Sequence, residues 1–188
     1  MRHKYETRGV VLSRTSMGEA NAYITLITPD LGLVRARAQG VRRSGAKLSA
    51  ALATFTESSL VLVRGKESWR IAGAVLEENW FTHMKTYSRA RAARVSGLLL
   101  RLVAGEAYDP KLFVIVTSFF KALTELPEEV HDAAEVLVVL RILAVLGLDT
   151  GEIPGETNLF TQPLLAAVTK NRTSYIARIN HGIISSEL

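Results

Sequence analysis

The hydrophobic period of this chain changes near residue 80, and that change restricts the fold more than any other feature. Before it, apolar and β-branched residues fall into five short runs of strand texture, 5–14, 20–28, 33–40, 57–64 and 68–77, separated by the turn segments "SMGE", "PDLG" and "GKE". Only the connection after the third run is long, and its "AKLSAALA" has helix formers at nearly every position. Strand, strand, strand, short helix, strand, strand is the order of an OB-type barrel.

Beyond residue 80 the period becomes helical. Val95, Leu98, Leu99, Leu102 and Val103 recur at helical spacing over 87–104. Asp109-Pro110 supplies a cap and an initiating proline for "KLFVIVTSFFKALTEL", and Pro127 starts another turn. "DAAE", 132–135, has the form of a capping box ahead of "VLVVLRILAVL", and the acidic, Gly- and Pro-containing 149–163 reads as a loop. "PLLAAVTKN" and "TSYIARINHGIISSEL" read as two short helices, with Ile176, Ile179 and Ile183 on one face of the second; a hairpin around "NHG" is the alternative. The expected architecture is α+β, an N-terminal OB-fold barrel over 1–80 and an all-helical bundle over 81–188.

Composition closes several functional classes. Without cysteine there is neither a disulfide framework nor a thiolate metal site. His3, His83, His131 and His181 lie far apart, and none has a metal-ligand spacing. No nucleophile elbow or Walker-type phosphate loop occurs, and Glu77 and Glu78 alternate sides of a strand, so neither an enzyme nor a cofactor is expected. The N-terminus lacks an apolar signal region, and the apolar run 133–148 contains Arg141 and is too short for a span. A cytoplasmic protein with no membrane contact is the expectation.

The charge is uneven. Residues 1–80 hold twelve Lys/Arg against seven Asp/Glu, whereas the remainder is balanced, so the first part carries the whole excess of +5. No acid lies between Asp30 and Glu57, an interval containing Arg35, Arg37, Arg42, Arg43 and Lys47. In "LVRARAQG" the residues Val34, Ala36 and Ala38 alternate with Arg35, Arg37 and Gln39, so the cations share the face away from the core. A charge run is ordinarily a solvated face. Here four of the five are arginines on an OB sheet, suited to bidentate phosphate contact, and nucleic acid is the better explanation. Tyr5, Tyr23, Phe55 and Trp69 are the aromatics on or beside the strands, and each reads as core before it reads as a base platform.

A second basic group, Lys85, Arg89, Arg91, Arg94 and Arg101, follows on the first helix. Lys85 and Arg89 share one helical face and Arg94 and Arg101, one heptad apart, share another, so the group cannot form one patch.

The segments "TRGVVL" (7–12), "GEAN" (18–21), "ITLITPDLG" (24–32), "AQGVRRSGAK" (38–47) and "ATFTES" (53–58) resemble, in this order, the N-terminal half of the bacterial RecO family of DNA repair and recombination mediators. "LRILAVLGLD", 140–149, extends the likeness more weakly into the helices. The resemblance implies an OB-fold followed by a helical domain that binds single- and double-stranded DNA and anneals complementary strands. It also implies work with RecR, contact with the acidic tail of single-stranded DNA-binding protein (SSB), and indirect help in loading RecA. The family's DNA-contacting segment falls on Arg42, Arg43 and Lys47, with Arg35 and Arg37 beside it. Arg94 and Arg101, above the leucines of 87–104, are the candidates for the SSB tail. Many relatives place a four-cysteine zinc module where this chain has "DTGEIPGETNLFTQP", which contains neither Cys nor His. Taken without the resemblance, an OB-type RNA or translation-associated module and a scaffold for an acidic protein partner are the alternatives.

Overall fold

A computed structural model describes residues 3–66, 68–103 and 109–186. It divides into two compact units, Met1–His83 with Gly105–Phe113, and Met84–Ala104 with Val114–Leu188.

The first unit is built from β1 (Lys4–Met17), β2 (Asn21–Thr28), β3 (Gly32–Ala38), β4 (Thr56–Arg64) and β5 (Trp69–Asn79), followed by a single helical turn, α1 (Trp80–His83). Pairing runs β1-β2-β3-β5-β4 and returns to β1, a closed barrel with the OB strand order. One long strand closes it. β1 pairs with β4 through Lys4–Val10 and with β2 through Val10–Met17, shifting register between Val11 and Ser13. Gly9 sits where β1 passes from one partner to the other. A Cβ there would stand 2.8 Å from Leu60 Cδ1 and 3.2 Å from Thr28 Cγ2, so a side chain at this point would displace buried methyl groups of the neighbouring strands. Val11, Ile24, Leu26, Val34, Ala36, Leu60, Leu62, Trp69 and Ile71 fill the interior.

The long connection departs from expectation. "AKLSAALA" does not form a helix; it runs as successive turns, with Ala46 O accepting from Ser49 N and Leu48 O from Leu52 N. Eight residues cannot repay helix nucleation by propensity alone. Packing decides instead: Ala51 and Leu52 are buried against the barrel, and Ala51 O accepts from the hydroxyls of Thr56 and Ser58. Phe55, at φ 64°, ends the connection in the left-handed region, held by ring burial and by its N–H donating to Val11 O at 2.8 Å.

The second unit contains α2 (Thr86–Leu102), part of α3 (Pro110–Glu125), α4 (His131–Val145), α5 (Gln162–Lys170) and α6 (Arg172–Ser185). Asp109 caps α3 through Lys111 N at 2.8 Å, as its sequence predicts. The 162–185 segment is two helices, and the hairpin alternative does not form. α4 is buried on every side from Val136 to Leu143 and packs against α2, α5 and α6, which is why its sequence is apolar all round. The capping box predicted at 132–135 is absent. α4 continues from a 3₁₀ turn (Glu128–Val130), its cap Val130 makes no side-chain bond, and Asp132 and Glu135 turn to arginines of other helices.

The 149–161 loop is fastened by two arginines. Arg141, 2% exposed, donates to the carbonyls of Pro154 and Thr157 and stacks 4.7 Å from the Phe160 ring. Burial pushes its guanidinium down to about 10, still charged at neutral pH. Arg178 of α6 bonds the Asp149 carboxylate and donates to Glu152 O at 3.0 Å. No helix among the described residues is long and apolar enough to cross a membrane.

Candidate nucleic-acid interface

The outer wall of β2 and β3 is where the period-two pattern places charge. Val34, Ala36 and Ala38 are buried, Arg35 is exposed and Arg37 half-buried. The antiparallel register sets Thr25 opposite Arg35 and Tyr23 opposite Arg37. Diagonally, the Arg35 guanidinium carbon lies 4.4 Å from the Tyr23 ring centroid, a cation–π contact that ties a long side chain to the wall.

Closure of the barrel adds a cation that the sequence reading passed over. β5 enters parallel to β3 and pairs Arg37 with Arg70, whose neighbours Trp69 and Ile71 point inward while Arg70 itself is exposed. Inward Trp69 followed by outward Arg70 was legible as alternation. What the sequence lacked was the adjacency of β5 to β3.

Arg42, Arg43 and Lys47 occupy a different place, the rim beyond β3, and all three are exposed. The rim is tied to the β1–β2 turn: Gly40 N donates to Asn21 Oδ1, Arg42 N donates to Ala20 O at 3.0 Å, and Arg42 Nη1 donates to Gly18 O. Arg14 joins it from β1, donating to Val41 O at 3.4 Å. The five predicted cations thus form two groups, a wall pair (Arg35, Arg37) joined by Arg70 and a rim triple braced on the β1–β2 turn. In OB barrels the β2–β3 face and the loops at its ends are the usual oligonucleotide path.

Charge pairing separates these residues from four arginines of the helical unit. Among the described residues, Arg35, Arg37, Arg42, Arg43, Lys47 and Arg70 make no ion pair. Arg91, Arg94, Arg172 and Arg178 all do, with Asp132, Glu135 or Asp149. Unpaired cations retain their full field toward an anionic ligand. Of the four aromatics, Phe55 and Trp69 are core, Tyr5 is 37% exposed with its ring edge-on to Trp69, and Tyr23 lies on the wall.

A hollow of about 570 Å³ lies elsewhere on the barrel, lined by Glu6, Arg8, Asp30, Ser59, Val61 and Val75. Two carboxylates at its edge make it a poor match for a polyanion.

In the helical unit, Arg94 and Arg101 flank a groove of about 560 Å³ floored by Val95, Leu98, Val139, Ile176, Ile179 and Ile183. The isoleucine stripe of α6 thus meets the aliphatic face of α2. The two cations differ: Arg94 is bonded to Glu135, whereas Arg101 is exposed and has no carboxylate partner among the described residues.

Residues 1–80 match the family described as recombination protein O N terminal. A protein named DNA repair protein RecO from Dehalococcoides mccartyi is 30% identical over 122 residues, 64% of this chain and 48% of that protein. Proteins of the same name from Gloeobacter violaceus and Nostoc sp. are 27% and 26% identical, over 77% and 68% of this chain and 56% and 44% of theirs. The chain spans about half the length of the curated relatives it matches. The barrel that carries these arginines is thus the part of the chain that matches the N-terminal domain of the recombination protein O (RecO) family.

Proposed function

We propose that this chain is a non-enzymatic DNA-binding mediator of repair and recombination in the cytoplasm, one that binds single- and double-stranded DNA and anneals complementary strands. The observation that carries the reading is the set of six cations, without an ion pair among the described residues, on the wall and rim of an OB barrel that matches the RecO N-terminal family. The mechanism is electrostatic: arginines neutralise phosphates on two strands, lower their mutual repulsion, and let base pairing proceed. Phosphate contact positions a strand without reading its sequence, so specificity is slight.

The barrel, 1–80, is the DNA-binding part, and 81–188 serve partners. The α2–α6 groove suits the acidic, apolar-ended tail of SSB, with Arg101 for the carboxylates and the isoleucines for the terminal side chain. Cooperation with RecR and help in loading RecA follow from the family reading.

Annealing of two complementary oligonucleotides, one carrying a fluorophore and the other a quencher, tests the proposal. The protein should accelerate quenching at low salt, with bare and with SSB-coated strands. Absence of binding to either form of DNA would overturn it, and clearly tighter binding to matched RNA would favour a translation-associated module.

A further inference from the structure

Arg37 and Arg70 are register partners across the parallel β3–β5 pairing, and both face outward. Neighbouring strands lie about 4.8 Å apart, so the two arginine side chains leave the sheet from adjacent positions. Like charges directly opposite each other destabilise a sheet. Neither arginine bonds a carboxylate among the described residues, and Arg37 Nε is buried without a hydrogen-bond partner. A buried donor left unsatisfied is costly and calls for an explanation. One tetrahedral anion between the two side chains offsets the repulsion, because its oxygens accept from two guanidinium groups at once, and it draws Arg37 toward an acceptor that it lacks.

The next element of the wall concerns bases. Arg37 faces Tyr23 across the β2–β3 ladder, and the Tyr23 ring supports the Arg35 guanidinium. A guanidinium is planar and has two faces. The Arg35 guanidinium carbon lies over the Tyr23 ring, and Arg35 is exposed, so its side away from the ring is open to solvent. A nucleobase can lie on that outer face and complete a three-layer stack.

From this juxtaposition we propose that Arg37 and Arg70 hold one backbone phosphate while an adjacent, unstacked base lies on the Arg35–Tyr23 platform, which makes this wall selective for single strands. The inference rests on the DNA-binding reading and names the form of DNA that the wall prefers. Duplex bases are covered on both faces by their neighbours and cannot use the platform. The phosphate pair accepts either form.

Fluorescence anisotropy with the full chain tests this, using three labelled ligands of equal length: oligothymidine, the same backbone with abasic sites throughout, and a duplex. Wild type should bind oligothymidine roughly 5- to 150-fold more tightly than the abasic strand, the range set by stacking one base. Tyr23→Ala should bring that ratio close to one, and Tyr23→Phe should keep it. Arg35→Lys, at an exposed position, retains the charge but removes the plane, so it should lower the ratio and leave the salt dependence in place. Arg70→Ala should weaken both single strands alike and reduce the log–log salt slope by about 0.7. An undiminished ratio in Arg35→Lys and in folded Tyr23→Ala would overturn the platform, and an unchanged slope in Arg70→Ala would overturn the phosphate pair. Wild type that binds oligothymidine and the abasic strand equally refutes the proposal while DNA binding stands. Wild type that binds none of the three ligands refutes the DNA-binding reading itself.

Discussion

Arg94 on α2 grips Glu135 on α4 with two parallel hydrogen bonds, Nε to Oε1 at 2.7 Å and Nη2 to Oε2 at 2.8 Å. Bonding to Glu135 holds the Arg94 guanidinium above its ordinary value, and Arg91 shares the same carboxylate. Arg94 is therefore committed to the helix–helix contact. Arg101, on the same groove, has no carboxylate partner among the described residues.

Arg101→Glu should abolish binding of an acidic peptide with an apolar C-terminal residue and leave the thermal midpoint unchanged. Binding to bare DNA should stay within about twofold, because the cations proposed to meet DNA are on the barrel. Arg94→Glu should behave differently. It places a second carboxylate beside Glu135 and should lower the midpoint by roughly 2–5 °C. Peptide titration and a melting curve on each variant separate the two roles. Loss of peptide and DNA binding together in Arg101→Glu would indicate one shared basic surface.

Arg42→Ala with Arg43→Ala should lower the salt slope of single-strand binding by about one to two units, at 0.7 to 0.9 per phosphate contact. Arg42 also braces the Gly18 carbonyl, so affinity should fall further than Arg43→Ala alone would predict. A titration series from low to high salt checks both statements. An unchanged slope would place the site away from the rim.

Two carboxylates should give the stability curve opposite pH trends. The hydrogen bond from Arg172 Nε at 2.7 Å holds Asp132 below its ordinary 3.8, with burial opposing. Its contribution is complete above 3.8 and is lost as the pH falls through the lower folded value. Asp132→Asn should therefore cost roughly 1–3 °C at pH 7 and little in strong acid. Burial holds Glu57 above its ordinary 4.5 despite Arg8 at 3.6 Å. Its charged form is disfavoured in the folded state, so stability declines as the pH rises from 4.5 through the folded value. Glu57→Gln should gain on wild type as the pH is raised over that window. Melting curves of the three proteins between pH 3 and 8 test the signs, and parallel curves for either variant would contradict the corresponding shift.

The 149–161 loop should need no metal. Chelator should leave the thermal midpoint in place, whereas Arg141→Met should cost about 1–3 kcal/mol, because the carbonyls of Pro154 and Thr157 lose their donor. Hydrogen exchange should locate the loss of protection in this loop. A chelator-induced drop of several degrees would mean that a cation holds it instead.

Much of the barrel was legible because its signals are local. Period-two alternation over 33–40 placed Val34, Ala36 and Ala38 inside and Arg35 and Arg37 outside, as found. "PDLG" marked the β2–β3 turn, and Asp109-Pro110 marked the start of α3. "AKLSAALA" and "DAAE" misled for one reason. Each satisfies a local helix rule, yet burial of Ala51 and Leu52 and distant ion pairs offered those residues more than the local bonds did.

Sequence alone determined the texture of this protein: five strands then helices, the outward arginines of β3, and the basic rim at Arg42, Arg43 and Lys47. These follow from side-chain periodicity and turn chemistry, which act over a few residues. Tertiary structure alone decided which cations are free to meet a ligand. Arg94 and Arg101 look alike in sequence, but Glu135, 41 residues from Arg94, neutralises one and not the other. Arg70 becomes the neighbour of Arg37 only when β5 closes on β3, and Tyr23 becomes a platform only when antiparallel register brings Arg35 over its ring. The reason is physical: charge pairing and stacking depend on distances of a few ångströms between residues far apart in the chain, and only the folded barrel and bundle set those distances.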